Sequence, residues 1–326
     1  MLKSRLCIAF FAFAVGCAPA QKPLTDYVNP MLGTATLWDS VDLGFKPTKR
    51  TWGAEVFPGS SLPNAMVQVS PVTKFHSGAG YQYEDSVIYG FTHTNKGHWN
   101  LCHIPLLPVT GTPTPGDYCS PFSHERESAA PGYYQVFLDR YGVDAQLSST
   151  LRCAFHKYTY PAGAAPAVLA DLQRSNEHVR AWDIRKEGDN VFAGWQQTGE
   201  KMYFYAVANR PVTGIEPVVE GDREVRIVRF GEGDGALELR IGFSFVSEKN
   251  ARENLEAEML GKSFAEVRSE ATATWNDLLG RIRVEGGTER EKGLFYSSLY
   301  RSFLWPALRS DVNGEFTDVD GKVINP

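Results

Sequence analysis

The hydrophobic pattern of the chain changes its period near Ser247, and this change constrains the fold more than any other feature. Between about Leu24 and Phe245, short runs rich in β-branched and aromatic residues alternate with glycine, proline, asparagine and aspartate. Such runs, spaced by roughly 10–12 residues, are typical of antiparallel sheets packed as a sandwich. No segment of this part has a sustained helical period, so a mainly β fold is predicted. The predicted strands are Ala65–Val69, Tyr133–Leu138, Ala145–Thr150, Phe155–Tyr160, Ala167–Leu172, Lys201–Ala208, Glu224–Phe230 and Leu237–Phe245.

After Ser247 the pattern becomes that of amphipathic helices. Ser263 and Glu266 form a capping box, in which each side chain can satisfy a free backbone N–H at the start of a helix. A second box, Thr288 with Glu291, predicts another helix that ends before Pro306. The face predicted to be apolar in the first helix consists of Phe264, Val267, Ala271, Trp275, Leu278 and Ile282.

The second helix carries an apolar stripe, Phe295, Leu299 and Phe303, at helical spacing. Few residues follow it, so the stripe is expected to be exposed and the C-terminal part to be poorly folded. Residues 310–326 contain two Asp/Gly turns and predict one hairpin with nothing to pack against. A second domain is therefore expected to begin here without being completed.

Composition excludes one class of partner. The 326 residues include 33 basic and 38 acidic side chains, for a formal net charge of −5, and no basic run follows the first residues. A polyphosphate backbone needs a basic patch, so nucleic acid is not an expected partner. The hydrophobic fraction of 43% is sufficient for a sizeable core.

Residues 1–20 have the pattern of a signal peptide. Lys3 and Arg5 precede an apolar stretch that is too short to span a bilayer, and Ala18–Ala20 fits a cleavage site. The protein is therefore expected to be exported, to the periplasm or the cell surface. The run ending at Cys17 also resembles a lipobox, so a lipid on Cys17 and free secretion both remain open. A lipid on Cys17 is the only membrane attachment that the sequence predicts.

Three cysteines remain beyond the leader, Cys102, Cys119 and Cys153. None of them forms a C-x-x-C pair, which disfavours a zinc site. One disulfide with a free thiol and three free thiols are both compatible with this set.

The segment Thr51–Pro71 places two Gly/Pro corners in front of a short strand and contains no acid, base or nucleophile motif. It predicts a rigid loop at the rim of a ligand site. Trp52 lies in this loop, where an indole is expected either to contact a ligand or to plug the end of the sandwich.

A second loop, Thr92–Asn100, followed by Cys102 and His103, is the richest polar cluster. An indole such as Trp99 can stack on sugar C–H bonds, and asparagine and histidine side chains such as His93 can read hydroxyl groups. The alternative is structural: His93 and His103 are bonded to the backbone at strand ends, and Trp99 belongs to the core.

The sequence contains no pair of carboxylates that can be singled out as the acid and base of a glycosidase. It also lacks the glycine-rich phosphate loops and the nucleophile elbow. Catalytic motifs of this kind therefore do not indicate which reaction the protein catalyses.

Several runs together resemble glycoside hydrolase family 92, the bacterial exo-α-mannosidases. They are FPGSSLPNAMVQVSP at 57–71, GYQYEDSVIYGFTHT at 80–94, HIPLLPVTG at 103–111, FSHERESAAPGYYQVFLDRYGVDAQLSST at 122–150 and FYSSLYRSFLWP at 295–306. The resemblance keeps the order of the family from about Asp26 to the last residue.

The resemblance implies a β-sandwich, a helical linker and an (α/α)6 toroid that carries a catalytic glutamate, a catalytic aspartate and a calcium ion. The implied domains are a signal peptide at 1–20, a sandwich at 24–247, a helical linker at 248–286 and a truncated start of the toroid at 287–326. The family's catalytic and calcium-binding residues would lie beyond residue 326, so no catalytic residue and no metal ligand is assigned here. Trp52, His93 and Trp99 are the residues expected to bind substrate, from loops that lean over the toroid. The run from Asn95 to Trp99 departs from the family pattern, which leaves the linkage specificity open.

Two functions are thus expected from the sequence. The first is the N-terminal part of a calcium-dependent, inverting exo-α-mannosidase that acts on mannose-containing N-glycans or mannans, the fragment itself being inactive. The second is a stand-alone carbohydrate-binding sandwich without catalysis. Mannose affinity of the isolated sandwich that is lost on Trp99→Ala would favour the second.

Overall fold

The structure is a computed structural model, and it describes residues 22–37, 44–46, 55–94 and 99–325. The predicted export signal with Cys17, the Trp52 position and residues 95–98 lie outside these ranges. The described residues form an antiparallel β-sandwich followed by three α-helices and a short hairpin. The predicted fold class is confirmed.

Two large sheets make up the sandwich. The strands of this region are β1 (Ser60–Ser61), β2 (Gln68–Val72), β3 (Val87–Ile88), β4 (Gly90–Thr92), β5 (Leu106–Val109), β6 (Ser120–Pro121), β7 (Glu127–Ala130), β8 (Tyr133–Leu138), β9 (Val143–Ser149), β10 (Cys153–Thr159), β11 (Ala167–Ala170), β12 (Ala181–Lys186), β13 (Val191–Gln197), β14 (Lys201–Ala208), β15 (Val212–Glu220), β16 (Arg223–Phe230) and β17 (Leu237–Ser244). One sheet has the order β1-β2-β4-β5-β11-β16-β15, and the other has the order β12-β13-β14-β17-β10-β9-β8-β7. Strands β3 and β6 form a separate pair.

Alternating side chains fill the space between the sheets. In β14 every second residue is buried, and Met202, Phe204 and Ala206 point into the core while Lys201 and Tyr203 face outward. This period of two is what the sequence pattern of a half-buried strand requires. The predicted bounds of Tyr133–Leu138 and Lys201–Ala208 are those observed.

Three helices follow the sandwich: α1 (Glu248–Glu258), α2 (Phe264–Leu279) and α3 (Glu289–Ser302). Both predicted capping boxes are present, at Ser263 and Thr288. The predicted apolar face of α2 is correct as far as Trp275, but its last turn buries Leu279 rather than Leu278. Ile282, predicted on the same face, lies beyond the helix and is 49% exposed.

The stripe predicted to be exposed on α3 is partly covered, which corrects that expectation. Phe295, Leu299 and Phe303 are half-buried and pack against a cluster formed by Leu24, Val28, Trp275, Leu279, Tyr296 and Tyr300. The covering residues Leu24 and Val28 come from the N-terminal segment, which includes a 3₁₀ turn at Leu24–Tyr27. A helical period depends on local spacing alone, so it carries no information about a partner some 270 residues earlier in the chain.

The C-terminal residues are also packed, contrary to the prediction. The Asp311 side chain is buried and accepts hydrogen bonds from Ser244 Oγ (2.7 Å), Asn250 Nδ2 (2.8 Å) and Asn254 Nδ2 (2.7 Å). The predicted hairpin then forms from β18 (Phe316–Thr317) and β19 (Val323–Ile324). Polar contacts to α1, which a hydrophobic pattern does not report, therefore fix the first of the two turns.

The segment Phe57–Pro71 connects the sandwich to the helices. A Cβ atom on Gly59 would lie 2.1 Å from the carbonyl oxygen of Val69, so only glycine fits at this corner. Two residues later, the carbonyl of Ser61 accepts a hydrogen bond of 2.7 Å from the buried indole of Trp275 in α2. The glycine corner thus allows the approach that brings the helices onto this edge.

The three cysteines of the described chain are free, which agrees with one of the two open alternatives. Cys102 and Cys153 are buried, and burial raises the pKa of both thiols. Within the described residues no helix is long and apolar enough to cross a membrane.

Candidate functional site

Several loops are joined by the hydrogen bonds of one side chain and by the lining of one small cavity, and we call this set the lip: residues 33–36, 55–57, 76–82, 99–104 and 175–178. Asn176 ties three of them together. Its Nδ2 donates to the carbonyls of Asn100 (2.5 Å) and Gly78 (3.1 Å), and its Oδ1 accepts from the backbone N–H of His76 (2.6 Å). A single amide side chain thereby fixes the spacing of these loops.

The lip holds most of the strained backbone of the described chain. Five described non-glycine residues have a positive φ, and four of them belong to the lip: Glu55 (48°), His76 (60°), Cys102 (55°) and Ile104 (53°). The left-handed region is unfavourable for a β-branched residue such as Ile104, and strain of this kind is concentrated at functional sites. The lip is therefore the candidate functional site.

A chain of hydrogen bonds holds His103 between Cys102 and Ile104. Its Nε2 lies 2.9 Å from Thr198 Oγ1, which in turn lies 2.9 Å from Glu177 Oε2. Since the carboxylate can only accept, Thr198 donates to Glu177 and His103 donates to Thr198. The other ring nitrogen, Nδ1, then accepts from Thr94 Oγ1 at 2.8 Å. Burial lowers the pKa of His103 to about 4, which agrees with this neutral ring.

His93, predicted to bind substrate, has no exposed surface. Its Nε2 lies 2.9 Å from Nε2 of His156, whose Nδ1 lies 2.6 Å from the hydroxyl of Tyr158, and its ring packs on Phe243 at 4.5 Å. Burial lowers the pKa of His93 to about 3. Its Nδ1 lies 3.4 Å from the backbone carbonyl of His103, so these contacts fit the structural alternative, in which His93 is bonded to the backbone at a strand end.

Trp99, the second predicted substrate residue, is half-buried and lies at the start of the 99–104 segment of the lip. The next residue, Asn100, donates its backbone N–H to Gly78 at 3.1 Å, which anchors the indole's loop. The third predicted residue, Trp52, lies outside the described residues. The roles of Trp52 and Trp99 in substrate binding stay predictions.

Sequence reasoning missed the segment that follows β11. An open cleft of about 690 Å³ borders the lip on this side, with Arg174, Glu177, Arg180, Trp182 and Arg223 among its lining residues. Beneath it, the buried carboxylate of Asp171 holds Arg223 at 2.7 Å and Arg174 at 3.6 Å. The polar run that follows the apolar strand Ala167–Ala170 could have indicated this segment, since binding residues are common in loops at the ends of strands.

The chain passes close to His103 of the lip after α3. Asn64 donates its backbone N–H to the carbonyl of Phe303 (2.7 Å) and its Nδ2 to the carbonyl of Pro306 (2.7 Å). Arg309 then pairs with Glu200 at 2.5 Å, two residues from the Thr198 that bonds His103. The start of the helical domain is thus fastened beside the lip.

The described residues contain no group of three or more histidine, cysteine, aspartate or glutamate side chains arranged to hold a metal ion. The calcium ion implied by the family resemblance stays a prediction.

Comparison with known proteins identifies the family. The N-terminal domain of glycosyl hydrolase family 92 matches residues 27–254, and the catalytic domain of the same family matches residues 250–326. The chain belongs to glycosyl hydrolase family 92.

Solved structures give the same result for the fold. A family 92 α-mannosidase from Bacteroides thetaiotaomicron superimposes with a TM-score of 0.83 at 25% identity, over 94% of this chain and 44% of its own. The same enzyme in complex with mannoimidazole gives 0.83 at 26% identity, over 94% of this chain and 43% of its own. An inverting family 92 mannosidase from that organism gives 0.79 at 25% identity, over 93% and 43%.

An uncharacterised secreted glycosidase of Arthroderma benhamiae is 25% identical over 89% of this chain and 42% of its own length. The chain therefore spans less than half of the length of the relatives that it matches.

Proposed function

We propose that this chain is the N-terminal part of an exported, calcium-dependent, inverting exo-α-mannosidase that acts on N-glycans or mannans. In this proposal the lip forms one wall of the substrate pocket, and the catalytic acid, the base and the calcium ligands come from the rest of the helical domain. Family membership supports glycoside hydrolysis, and the solved relatives named as mannosidases support the choice of mannose. Export is supported by the leader pattern and by the secreted relative.

The observation that carries the proposal is the position of the lip relative to the helical domain. Glu200, which pairs with Arg309 after α3, lies two residues from Thr198, and Thr198 bonds to His103 between the strained residues Cys102 and Ile104. Asn64 bonds to the carbonyls of Phe303 and Pro306 in the same segment. A ligand between the two domains would meet the lip on one side and the toroid on the other. Pockets between domains are a common location for small-molecule sites.

The residues of the lip suit a positioning role rather than a proton-transfer role. His103 is neutral and fully bonded, and Asn176 is engaged with three backbone groups. Neither is free to exchange a proton with a substrate, so the lip supplies a rigid wall. The half-buried indole of Trp99 would supply an apolar face for a sugar ring.

The proposal is tested on the protein in its natural length, with an aryl α-mannoside and α-linked mannobioses as substrates. We expect mannose release, and we expect Trp99→Ala to raise KM at least tenfold because the stacking face is removed. The matched control is Trp195→Ala, since Trp195 is half-buried on β13, where it is covered by Lys201 at 3.6 Å, and it lies outside the lip. An absence of mannose release would contradict the proposed activity, and equal effects of the two substitutions would contradict the role of the lip.

A further inference from the structure

A buried carboxylate lies directly behind the lip and gathers three side-chain donors. The Glu127 side chain is 1% exposed, and it contacts the hydroxyls of Tyr81 (3.0 Å to each oxygen) and Tyr134 (2.5 Å) and Nδ1 of His124 (2.5 Å). Burial, together with the charge of Glu127, raises the pKa of both tyrosines, so their hydroxyls retain hydrogen and donate. Two of the donors come from the sequence neighbourhood of Glu127, whereas Tyr81 belongs to the lip.

His124 has acceptors on both sides of its ring. Nδ1 lies 2.5 Å from Glu127 Oε2, and Nε2 lies 2.6 Å from the backbone carbonyl oxygen of Tyr83. A carbonyl can only accept, so Nε2 carries hydrogen, and a second proton must lie between Nδ1 and the carboxylate for that contact to be attractive. The ring is therefore held by the carboxyl group of Glu127 on one side and by a backbone carbonyl on the other.

The ring of His124 is also stacked on the residue whose carbonyl it binds. The centroids of the His124 and Tyr83 rings are 3.8 Å apart, with an angle of 2° between the planes. The ring of His124, which Glu127 orients, thus contacts both the backbone carbonyl and the side chain of Tyr83.

Tyr83 and its neighbour in turn hold the first segment of the lip. The backbone N–H of Tyr83 donates to the carbonyl of Thr34 at 3.2 Å. The carboxylate of Glu84 accepts from the backbone N–H (2.6 Å) and the hydroxyl (2.8 Å) of Thr36. Residues 33–36 then line a small cavity together with Glu55, Val56, Ser77, Tyr81 and Gln82.

We propose that His124 is a positioning residue, which Glu127 orients so that it clamps the Tyr83–Glu84 turn and thereby fixes residues 33–36 of the lip. The clamp stands on the contacts above, and its effect on catalysis rests on the proposed function. The contacts of His124 are to Glu127 and Tyr83, so its action on the lip runs through Tyr83.

The clamp is tested first on the 326-residue chain by hydrogen–deuterium exchange. His124→Phe keeps a flat ring over Tyr83 but removes both donors. We expect exchange in residues 30–37 and 81–86 to accelerate at least tenfold, with no change in β8 and β9. Glu125→Gln is the control, because Glu125 is exposed on the same 3₁₀ turn (His124–Arg126). Unchanged exchange in residues 30–37 of the His124→Phe variant would overturn the proposal.

A measurement without any substitution covers the case in which His124→Phe fails to fold. In ¹⁵N NMR spectra of the wild-type chain, Nε2 of His124 should carry a hydrogen-bonded proton that exchanges slowly with water. An Nε2 without hydrogen, or one whose proton exchanges freely, would overturn the clamp.

The catalytic consequence is measured on the protein in its natural length. We expect His124→Phe to raise KM about tenfold while kcat changes less than twofold, because the lip wall loosens while the groups that transfer protons stay in place. A wild-type protein without mannosidase activity would refute the proposed function but leave the exchange and NMR results to decide on the clamp. Normal KM with accelerated exchange would overturn the claim that these residues position substrate.

Discussion

The buried state of His103 makes the stability of the fold sensitive to acid. The pKa of His103 is lowered from an ordinary 6.5 to about 4, chiefly by burial; the negative charge of Glu177 opposes this shift, and the positive charge of Arg309 adds to it. The native state therefore resists protonation, whereas the unfolded chain binds a proton as soon as the pH falls below about 6.5. Stability from this residue is complete above pH 6.5 and is lost progressively as the pH falls toward 4.

The size of the effect follows from these two values. Between pH 7 and pH 4.5 the unfolded state gains about 2.5 kcal/mol relative to the native state from His103 alone, and about 3 kcal/mol by pH 4. His93 is shifted in the same direction, to about 3, and adds to the loss in the wild-type protein.

The assay compares urea unfolding at pH 7 and pH 4.5 for the wild-type chain and for His103→Gln. The glutamine amide can still donate to Thr198 but does not titrate. We expect the loss of unfolding free energy between the two pH values to be about 2.5 kcal/mol smaller in the variant. His178→Gln, which alters an exposed histidine, should reproduce the wild-type loss. Equal losses in the wild-type protein and His103→Gln would refute the assignment of a neutral, buried ring to His103.

Two further outcomes follow from the structure, and two more from the proposed function. Gly59→Ala should lower the free energy of unfolding by about 3 kcal/mol in a thermal or urea experiment, because the added methyl would meet the carbonyl of Val69. An unchanged free energy of unfolding would show that this corner can relax. Asp311→Ala should lower the free energy of unfolding by about 3 kcal/mol, since it removes the acceptor of three buried donors. Asp320→Ala, at an exposed position, should lower it by less than about 0.5 kcal/mol. Similar values for the two variants would argue against the docking of the C-terminal segment on α1. The purified chain of residues 21–326 should not hydrolyse an aryl α-mannoside, and turnover by it would contradict this expectation. A chelator should abolish the activity of the natural-length protein until calcium is restored, and activity that survives chelation would contradict the proposed calcium dependence.

The elements of the fold were predictable where one physical period dominates. The alternation in β14 and the capping boxes at Ser263 and Thr288 are local patterns, and each produced the expected element. The burial of Phe295 and the docking of Asp311 depend on partners that are distant in the sequence, Leu24 and Asn254 among them, so no local period could report them.

The candidate site was only partly predictable. The loop residues 92–103 were recognised as a polar cluster, and the structure does place Trp99 on the lip. His93 was predicted to face a ligand, but a histidine beside a buried strand can equally bond inward, and His93 bonds to His156. Asn176 and Glu177, which hold the lip together, come from a loop whose proximity to Trp99 is set by the pairing of β11 with β5.

The most direct test of the account is to follow, by ¹H NMR, the anomer first released when the natural-length protein hydrolyses an aryl α-mannoside. Single displacement by water on an α-mannoside gives β-mannose as the first product. We expect mannose to be released, with the signal of β-mannose appearing first and that of α-mannose following only by mutarotation. Release of α-mannose first would contradict inversion, and no release of mannose from any α-mannoside would contradict the proposal that this chain is part of a mannosidase.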